Sequence, residues 1–197
     1  MTLPFHKTLV FIKKKHRGQF HAGNKPVWLH LFRVALMLDT VLRNTKEARA
    51  KERQRIVCAA LGHDLLEDTT ATEKEIRAVF GHHGYEYIFT LTNEWGDTEK
   101  RRYVAKVVKA DEAVRLIKLS DLYDNISSVA HSISLLGVPW VTGFFLPIVT
   151  PMRKALAKTT FTKYRNSAEY LLSAISIEIA LLENEVEVLK KNAAKTL

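Results

Sequence analysis

Six apolar residues, Ile56-Val57-Cys58-Ala59-Ala60-Leu61, run straight into His63-Asp64-Leu65-Leu66-Glu67-Asp68. This junction constrains the fold more than any other stretch. An apolar run of that density predicts burial, and the four ionisable side chains behind it are then carried inward. Burying such groups without a counter-charge costs several kcal/mol each. On a helix of about 3.6 residues per turn, His63 shares a face with Glu67 and Asp64 with Asp68, each pair within about 40°. A divalent cation between them removes the cost, so a metal site is the first expectation. The competing reading is a helix end that frays into an acidic loop.

The rest of the chain reads as helices. Phe5, Leu9, Val10 and Ile12 have helical spacing within Leu3–Lys15, with Gly18 as a stop. Gln19–Lys25 reads as a turn, and Pro26 opens a helix through Leu42. Asn44 or Thr45 caps a third helix that ends in the His63-Asp64 cluster. Thr72-Glu73-Lys74-Glu75 matches a capping box, opening a short helix, Ile76–Phe80, that ends at Gly81. Tyr85–Thr92 is assigned to a helix despite its strand propensity, and Gly96–Thr98 to a loop. Lys100, Arg101 and Arg102 then open a helix where their charges oppose its dipole, which suggests an anion nearby. Ala113–Val129 reads as a buried helix with Asp121 and Asn125 on one face. After the break at Gly137-Val138-Pro139, helices over Thr142–Lys158 and Lys163–Lys191 close the chain. The fold class is all-α, and residues 1–197 are expected to form a single domain. The apolar stripe of the last helix fits an internal core and a second copy equally well, so the oligomeric state stays open.

No run of eighteen apolar residues exists to span a bilayer, which argues against a membrane. The single cysteine, Cys58, forms no intramolecular disulfide and fits a reducing cytoplasm. The net charge of +9 is concentrated early: residues 1–60 hold 13 Lys and Arg against 3 Asp and Glu. Lys13-Lys14-Lys15-His16-Arg17 is the densest part, and it reads as a solvated helix end or a polyanion contact. Aromatic residues are not interleaved with it as single-strand binders require, which favours a small phosphorylated ligand over nucleic acid.

The His63-Asp64 pair, with a histidine upstream and an aspartate downstream, outlines a two-histidine, two-aspartate site: His30, His63, Asp64 and Asp121. Mixed imidazole and carboxylate ligation suits manganese, iron or zinc better than magnesium or calcium, and leaves positions open for water and substrate.

Several blocks in order make the chain resemble the HD phosphohydrolase superfamily, and within it the RelA/SpoT-type hydrolase domain and the stand-alone small alarmone hydrolases. They are His16-Arg17-Gly18-Gln19, His30, His63-Asp64-Leu65-Leu66-Glu67-Asp68-Thr69, Phe80-Gly81, Leu91-Thr92-Asn93 and Ile117-Lys118-Leu119-Ser120-Asp121-Leu122-Tyr123-Asp124-Asn125, within about residues 5–130. The resemblance implies an HD-type helical bundle, completed by the helices over about 142–191. It implies Mn2+ or another divalent metal on His30, His63, Asp64 and Asp121, with Glu67 and Asp68 positioning and deprotonating water. The implied reaction is release of pyrophosphate from the 3′-diphosphate of a nucleotide of the ppGpp or ppApp type. It also implies His16 and Asn125 near the ribose and phosphates. Lys100 and Arg101 are further candidates to hold an anionic substrate, with Lys118 behind them.

Where the family commonly has Arg-Lys and then Tyr before the ligand histidine, this chain has His21-Ala22 and Val27. His21 therefore joins the candidate substrate contacts, and the base and the 5′-phosphate grip stay open. Two alternatives accompany this reading: an HD-type nucleotide phosphomonoesterase, including one acting on the 2′-phosphate of NADPH, and a non-catalytic nucleotide- or nucleic-acid-binding module.

Overall fold

In the computed structural model, which describes residues 5–21, 24–94 and 99–195, the chain is helical almost throughout. The helices are α1 (Phe5–Lys15), α2 (Val27–Thr45), α3 (Ala50–Leu61), α4 (Leu65–Asp68), α5 (Glu73–Leu91), α6 (Lys100–Val108), α7 (Glu112–Ala130), α8 (Ile133–Leu136), α9 (Val138–Trp140), α10 (Leu146–Leu156) and α11 (Arg165–Lys195). Two-residue strands β1 (Phe20–His21) and β2 (Lys25–Pro26) pair antiparallel, with Phe20 opposite Pro26. They lie in the stretch read as a turn and are too short to show alternation. The all-α expectation holds.

Helix α7 is central, packed against α11, α2, α3 and α5. Its composition dictates this: Val114, Leu116, Ile117, Leu119, Leu122 and Ile126 are all buried, and they spread over more than one face. Such a helix needs neighbours on several sides. A continuous core runs from Ile12 in α1 to Val186 in α11. Among the described residues no helix is long and apolar enough to cross a membrane.

The structure corrects the expectation of one helix bearing both acidic pairs. Helix α3 closes at Gly62, whose N–H donates to the Ala59 carbonyl at 3.0 Å. A Cβ at Gly62 would come within 2.8 Å of the Phe80 and Ile88 side chains, so α5 packs here against bare backbone. His63 and Asp64 consequently lie in the turn between α3 and α4, and Glu67 and Asp68 on the single turn of α4. Gly81 (φ 71°, ψ 177°) divides α5 into two arms, in line with the helix stop expected there. The capping box forms, and Glu75 also accepts Lys15 Nζ at 2.7 and 2.8 Å, tying α5 to α1. Ahead of α10, Val141–Phe145 is a π turn, with the Leu146 N–H donating to the Val141 carbonyl. Pro147 has no N–H to continue the ordinary ladder, which favours the wider turn. Ala22 and Gly96–Thr98, read as loop, lie outside the described residues.

The start of α11 is held by carboxylates from elsewhere. Glu47 accepts the N–H groups of Asn166 and Ser167 at 2.7 and 2.8 Å and the Ser167 hydroxyl at 2.6 Å. Glu112 accepts the N–H groups of Thr162, Lys163 and Tyr164 at 2.9, 2.9 and 3.1 Å. Both satisfy amides that a helix cannot pair internally and complement its dipole. Glu47→Ala leaves three donors without their acceptor; the expected loss is about 1–3 kcal/mol of stability, read as a lower urea midpoint and Tm. For Glu112, burial opposes ionisation, yet the three backbone donors hold its carboxyl below the ordinary glutamate range. Its contribution is therefore present above that range and fades as pH falls through the depressed value.

Candidate metal centre

Three segments distant in sequence converge on one buried point. The second turn of α2 supplies His30, the turn after α3 supplies His63 and Asp64, and the middle of α7 supplies Asp121. Asp121 Oδ1 lies 3.3 Å from the Nε2 of both histidines. Asp64 reaches the same space, with Oδ1 3.1 Å from His63 Nε2 and Oδ2 3.9 Å from His30 Nε2. Ligand atoms of His30, His63 and Asp64 fall within 4.8 Å of one another, a cluster of the kind that holds a metal ion.

The ring orientations are set from behind. His63 Nδ1 donates to the Ala60 carbonyl at 2.7 Å, and His30 Nδ1 donates to Asp124 Oδ2 at 2.7 Å. Arg33 grips Asp124 in turn, at 2.6 and 2.8 Å. With each Nδ1 engaged, the Nε2 atoms of both rings face the shared space, the arrangement metal-binding histidines adopt. His63 Nε2 is buried and has no hydrogen-bond partner among the described residues. A buried orphan of that kind needs an explanation, and a cation supplies one.

The electrostatics agree. Burial works against a charged His30, yet hydrogen bonds to Asp121 and Asp124 outweigh it and hold its pKa at about 10. Burial likewise opposes an ionised Asp121, but Lys118 and the two histidines keep it well below the usual carboxylate range. Lys118 Nζ lies 2.8 Å from Asp121 Oδ2, and Asn125 Nδ2 donates to Asp121 Oδ1 at 2.7 Å. The centre thus has a field that favours positive charge, and its donor set fits a divalent metal of borderline hardness.

A cavity of about 350 Å³ opens from this point, lined among others by His21, His30, Asp64, Glu67, Asp68 and Asn125. Glu67 Oε2 accepts the Asn93 N–H at 3.0 Å, leaving Oε1 uncommitted to that bond. Both acids reach solvent through the cavity although protein surrounds them. Burial, opposed by the Asn93 amide, raises Glu67; burial and the nearby Asp64 raise Asp68. Lys100, Tyr103 and Lys118 form a basic and aromatic wall, and Phe145, Val149 and Met152 an apolar one.

His21 stacks on His30 at 4.9 Å, and burial and His30 lower its pKa, so it faces the cavity as a neutral ring. Two expected contacts do not line this cavity. Arg101 faces a neighbouring depression with Lys100, Pro147 and Pro151. His16 is buried behind Asp68: its Nδ1 donates to Gln19 Oε1 at 2.6 Å, and Gln19 Nε2 donates to the Asp68 carbonyl at 2.6 Å. Lys118, ranked behind Lys100 and Arg101 on the sequence, does line it. Asp124 and Arg33, one turn from Asp121 and His30, received no role from the sequence; their i+3 spacing to those residues was the available signal.

Comparisons with known proteins bear on the fold and on what the chain resembles. No protein-family model matches the chain. A probable guanosine-3′,5′-bis(diphosphate) 3′-pyrophosphohydrolase from Mycoplasma genitalium is 25% identical over 209 residues, covering 94% of this chain and 26% of that protein. A guanosine-3′,5′-bis(diphosphate) 3′-pyrophosphohydrolase from Aquifex aeolicus is 31% identical over 125 residues, covering 60% of this chain and 17% of that protein. The chain thus spans about a quarter or less of the length of these curated relatives. A solved structure, described as a metazoan ortholog of SpoT that hydrolyses ppGpp, superposes with a TM-score of 0.71 at 22% identity, covering 92% of this chain and 99% of that one.

The chain shares the helical fold of that solved structure. The resemblance to RelA/SpoT-type hydrolase domains drawn from the sequence blocks is therefore borne out in relatives and in architecture. Within that fold the Asp124–Arg33 pair is the outer support of His30. Asp124→Ala is expected to weaken divalent-metal binding about 10–100-fold with helicity unchanged, as checked by calorimetric titration with Mn2+ and by circular dichroism.

Proposed function

We propose that this chain is a metal-dependent hydrolase that removes the 3′-diphosphate of an alarmone nucleotide as pyrophosphate. The observation that carries the reading is the meeting, in one cavity, of a cluster of metal-ligating side chains with the carboxylates of Glu67 and Asp68. The names of the two relatives and of the solved neighbour support it. His30, His63, Asp64 and Asp121 would hold the ion, with Mn2+ favoured by their mixed nitrogen and oxygen donors. When bound, the metal supplies charge neutralisation at the phosphoryl oxygens and lowers the pKa of water.

The protein's own groups do the rest. Glu67 Oε1 is the atom available to take a proton from the attacking water, and the Asp68 carboxylate beside it holds or passes that proton. Gln19 and His16 brace the Asp68 backbone from behind. Lys100 binds substrate oxygens at the cavity wall, while Lys118 keeps Asp121 ionised. Asn125, anchored through Nδ2 on Asp121, lines the cavity where a sugar hydroxyl would lie. His21, neutral and stacked, offers a ring face rather than a charge, so a 5′-phosphate is not gripped there. The buried, single Cys58, its thiol pushed up by burial, suits a reducing cytoplasm.

The test is a product assay with Mn2+ on ppGpp and ppApp. Pyrophosphate release is expected; orthophosphate as the sole product would select the phosphomonoesterase alternative, and no turnover of either nucleotide would remove the reading. Glu67→Gln and Asp68→Asn are each expected to slow release about 10²–10⁴-fold while metal binding persists. The sign of the pH effect follows from burial. Both carboxyls are raised, so the base form is populated only above the ordinary carboxylate range. The rate should therefore climb with pH through a limb displaced upward from that range, measured as kcat/KM against pH.

A further inference from the structure

A second cavity, of about 490 Å³, opens between α1, α2 and α3 and shares no lining residue with the one at the metal centre. Its walls follow helical spacing. Phe32, Ala35, Leu36, Asp39 and Arg43 lie along one face of α2, and Ala50, Arg53, Gln54 and Val57 along one face of α3. Ala35 and Ala50 contribute only a methyl group each, which leaves room between the helices that larger side chains would fill.

The cavity is divided by chemistry. At one end Phe5, Phe32, Leu36 and Val57 form an apolar lining, with the rings of Phe5 and Phe32 edge to face at 6.3 Å. Leu36 keeps 52% of its surface exposed, an apolar side chain that the fold leaves uncovered beside a concave space. The other end is charged. Arg43 Nε lies 2.7 Å from Asp39 Oδ2, and Arg53 Nε lies 3.1 Å from Asp39 Oδ1. Two guanidinium groups against one carboxylate leave one positive charge in surplus. Helix α3 begins at this end with no side-chain hydrogen bond at its N-cap, Arg49, so the positive pole of its dipole adds to the field. Glu52 of that first turn is engaged elsewhere, accepting the Tyr164 hydroxyl at 2.7 Å.

We propose that this cavity binds a small monocarboxylate whose apolar body lies against Phe5, Phe32, Leu36 and Val57 and whose carboxylate is held by Arg43 and Arg53. At the ~30 Å³ that a water molecule takes in the liquid, the space holds about sixteen heavy atoms when full, so a body of roughly eight to ten carbon atoms fits with room for the head group.

Charge and shape select that class. A single negative charge answers the single surplus positive one. A phosphate dianion would exceed it, and a neutral amphiphile would leave it unanswered. Each guanidinium meets Asp39 through Nε, and its two terminal amines form the end-on fork that a carboxylate takes in paired hydrogen bonds. Because none of these residues lines the cavity at the metal centre, the proposal does not depend on the hydrolytic reading.

Calorimetric titration of the full chain tests each part. Octanoate is expected to bind saturably, one per chain, with a dissociation constant below about 1 mM. Octanol, which keeps the body and loses the charge, should bind about 10–100-fold more weakly. Acetate, which keeps the charge and loses the body, should not saturate in the same range. Arg53→Met should weaken octanoate about 10-fold or more while octanol binds no less tightly, with helicity unchanged by circular dichroism. Arg43→Met, at a more exposed side chain, should act in the same direction, and Leu36→Glu should remove the binding of both probes. Absence of saturable octanoate binding, octanol bound as tightly as octanoate, or octanoate binding that neither arginine variant moves would each overturn the proposal, the last by assigning the probe to the cavity at the metal centre. So would a dimer, seen by sedimentation velocity, that octanoate dissociates, because a second copy would then be the occupant. Octanoate binding that appears only after deletion of Met1–Pro4 would likewise overturn it, by assigning the cavity to the chain's own start.

Discussion

Burial of the Asp121 carboxylate in the central helix is the interaction on which the other parts depend. At 3% exposure this group cannot stay ionised without positive charge and donors around it. Lys118 and Asn125 supply these from one turn on either side in α7. His30 and His63 come from two other segments. The geometry of α2, of the α3–α4 turn and of α7 is thus set by one negative charge as well as by hydrophobic packing. The apolar residues of α7 bring α11, α2, α3 and α5 together, and Asp121 decides what their polar residues must offer.

The centre is graded from rigid to open. At its closed end the imidazoles are locked by Ala60, Asp124 and Arg33, so their free nitrogens point inward without side-chain freedom. At its open end Glu67 and Asp68 sit on a single helical turn beside a cavity and are raised by burial, which suits groups that exchange protons rather than hold charge permanently. The closed end resembles a binding site for an ion and the open end a site for chemistry. Under the proposed function, their separation would give adjacent acids on one short stretch different roles.

The basic surplus of the first sixty residues has a largely structural use. Lys15 ties α1 to Glu75, Arg33 braces Asp124, Arg43 and Arg53 share Asp39, and Lys13 lies over the Trp28 ring at 4.5 Å. Of the run that suggests a polyanion on paper, Lys15 is held in an ion pair and Lys13 lies over an aromatic ring in the folded chain. This weighs against a nucleic-acid face, and it leaves Lys100 and Lys118, from the middle of the chain, as the cationic groups of the cavity.

Helical periodicity, the cap at Thr72, the break at Gly81 and the four ligand candidates were determined by the sequence itself, because they depend on contacts within a turn or on side-chain chemistry alone. The turn that presents His63 and Asp64 was not. Gly62 is a possible stop on the sequence, but that the chain turns there, with Phe80 and Ile88 packed too closely for a side chain, is visible only in the folded structure. Tertiary structure also decided the support of His30 by a residue 94 positions away, the retreat of His16 behind Asp68 and the absence of Arg101 from the cavity wall. On α11 the sequence shows apolar residues at intervals of three and four around much of the helix. Which of its stripes faces inward depends on the position of α7, because periodicity fixes the angle between faces and only packing fixes which of them meets the core.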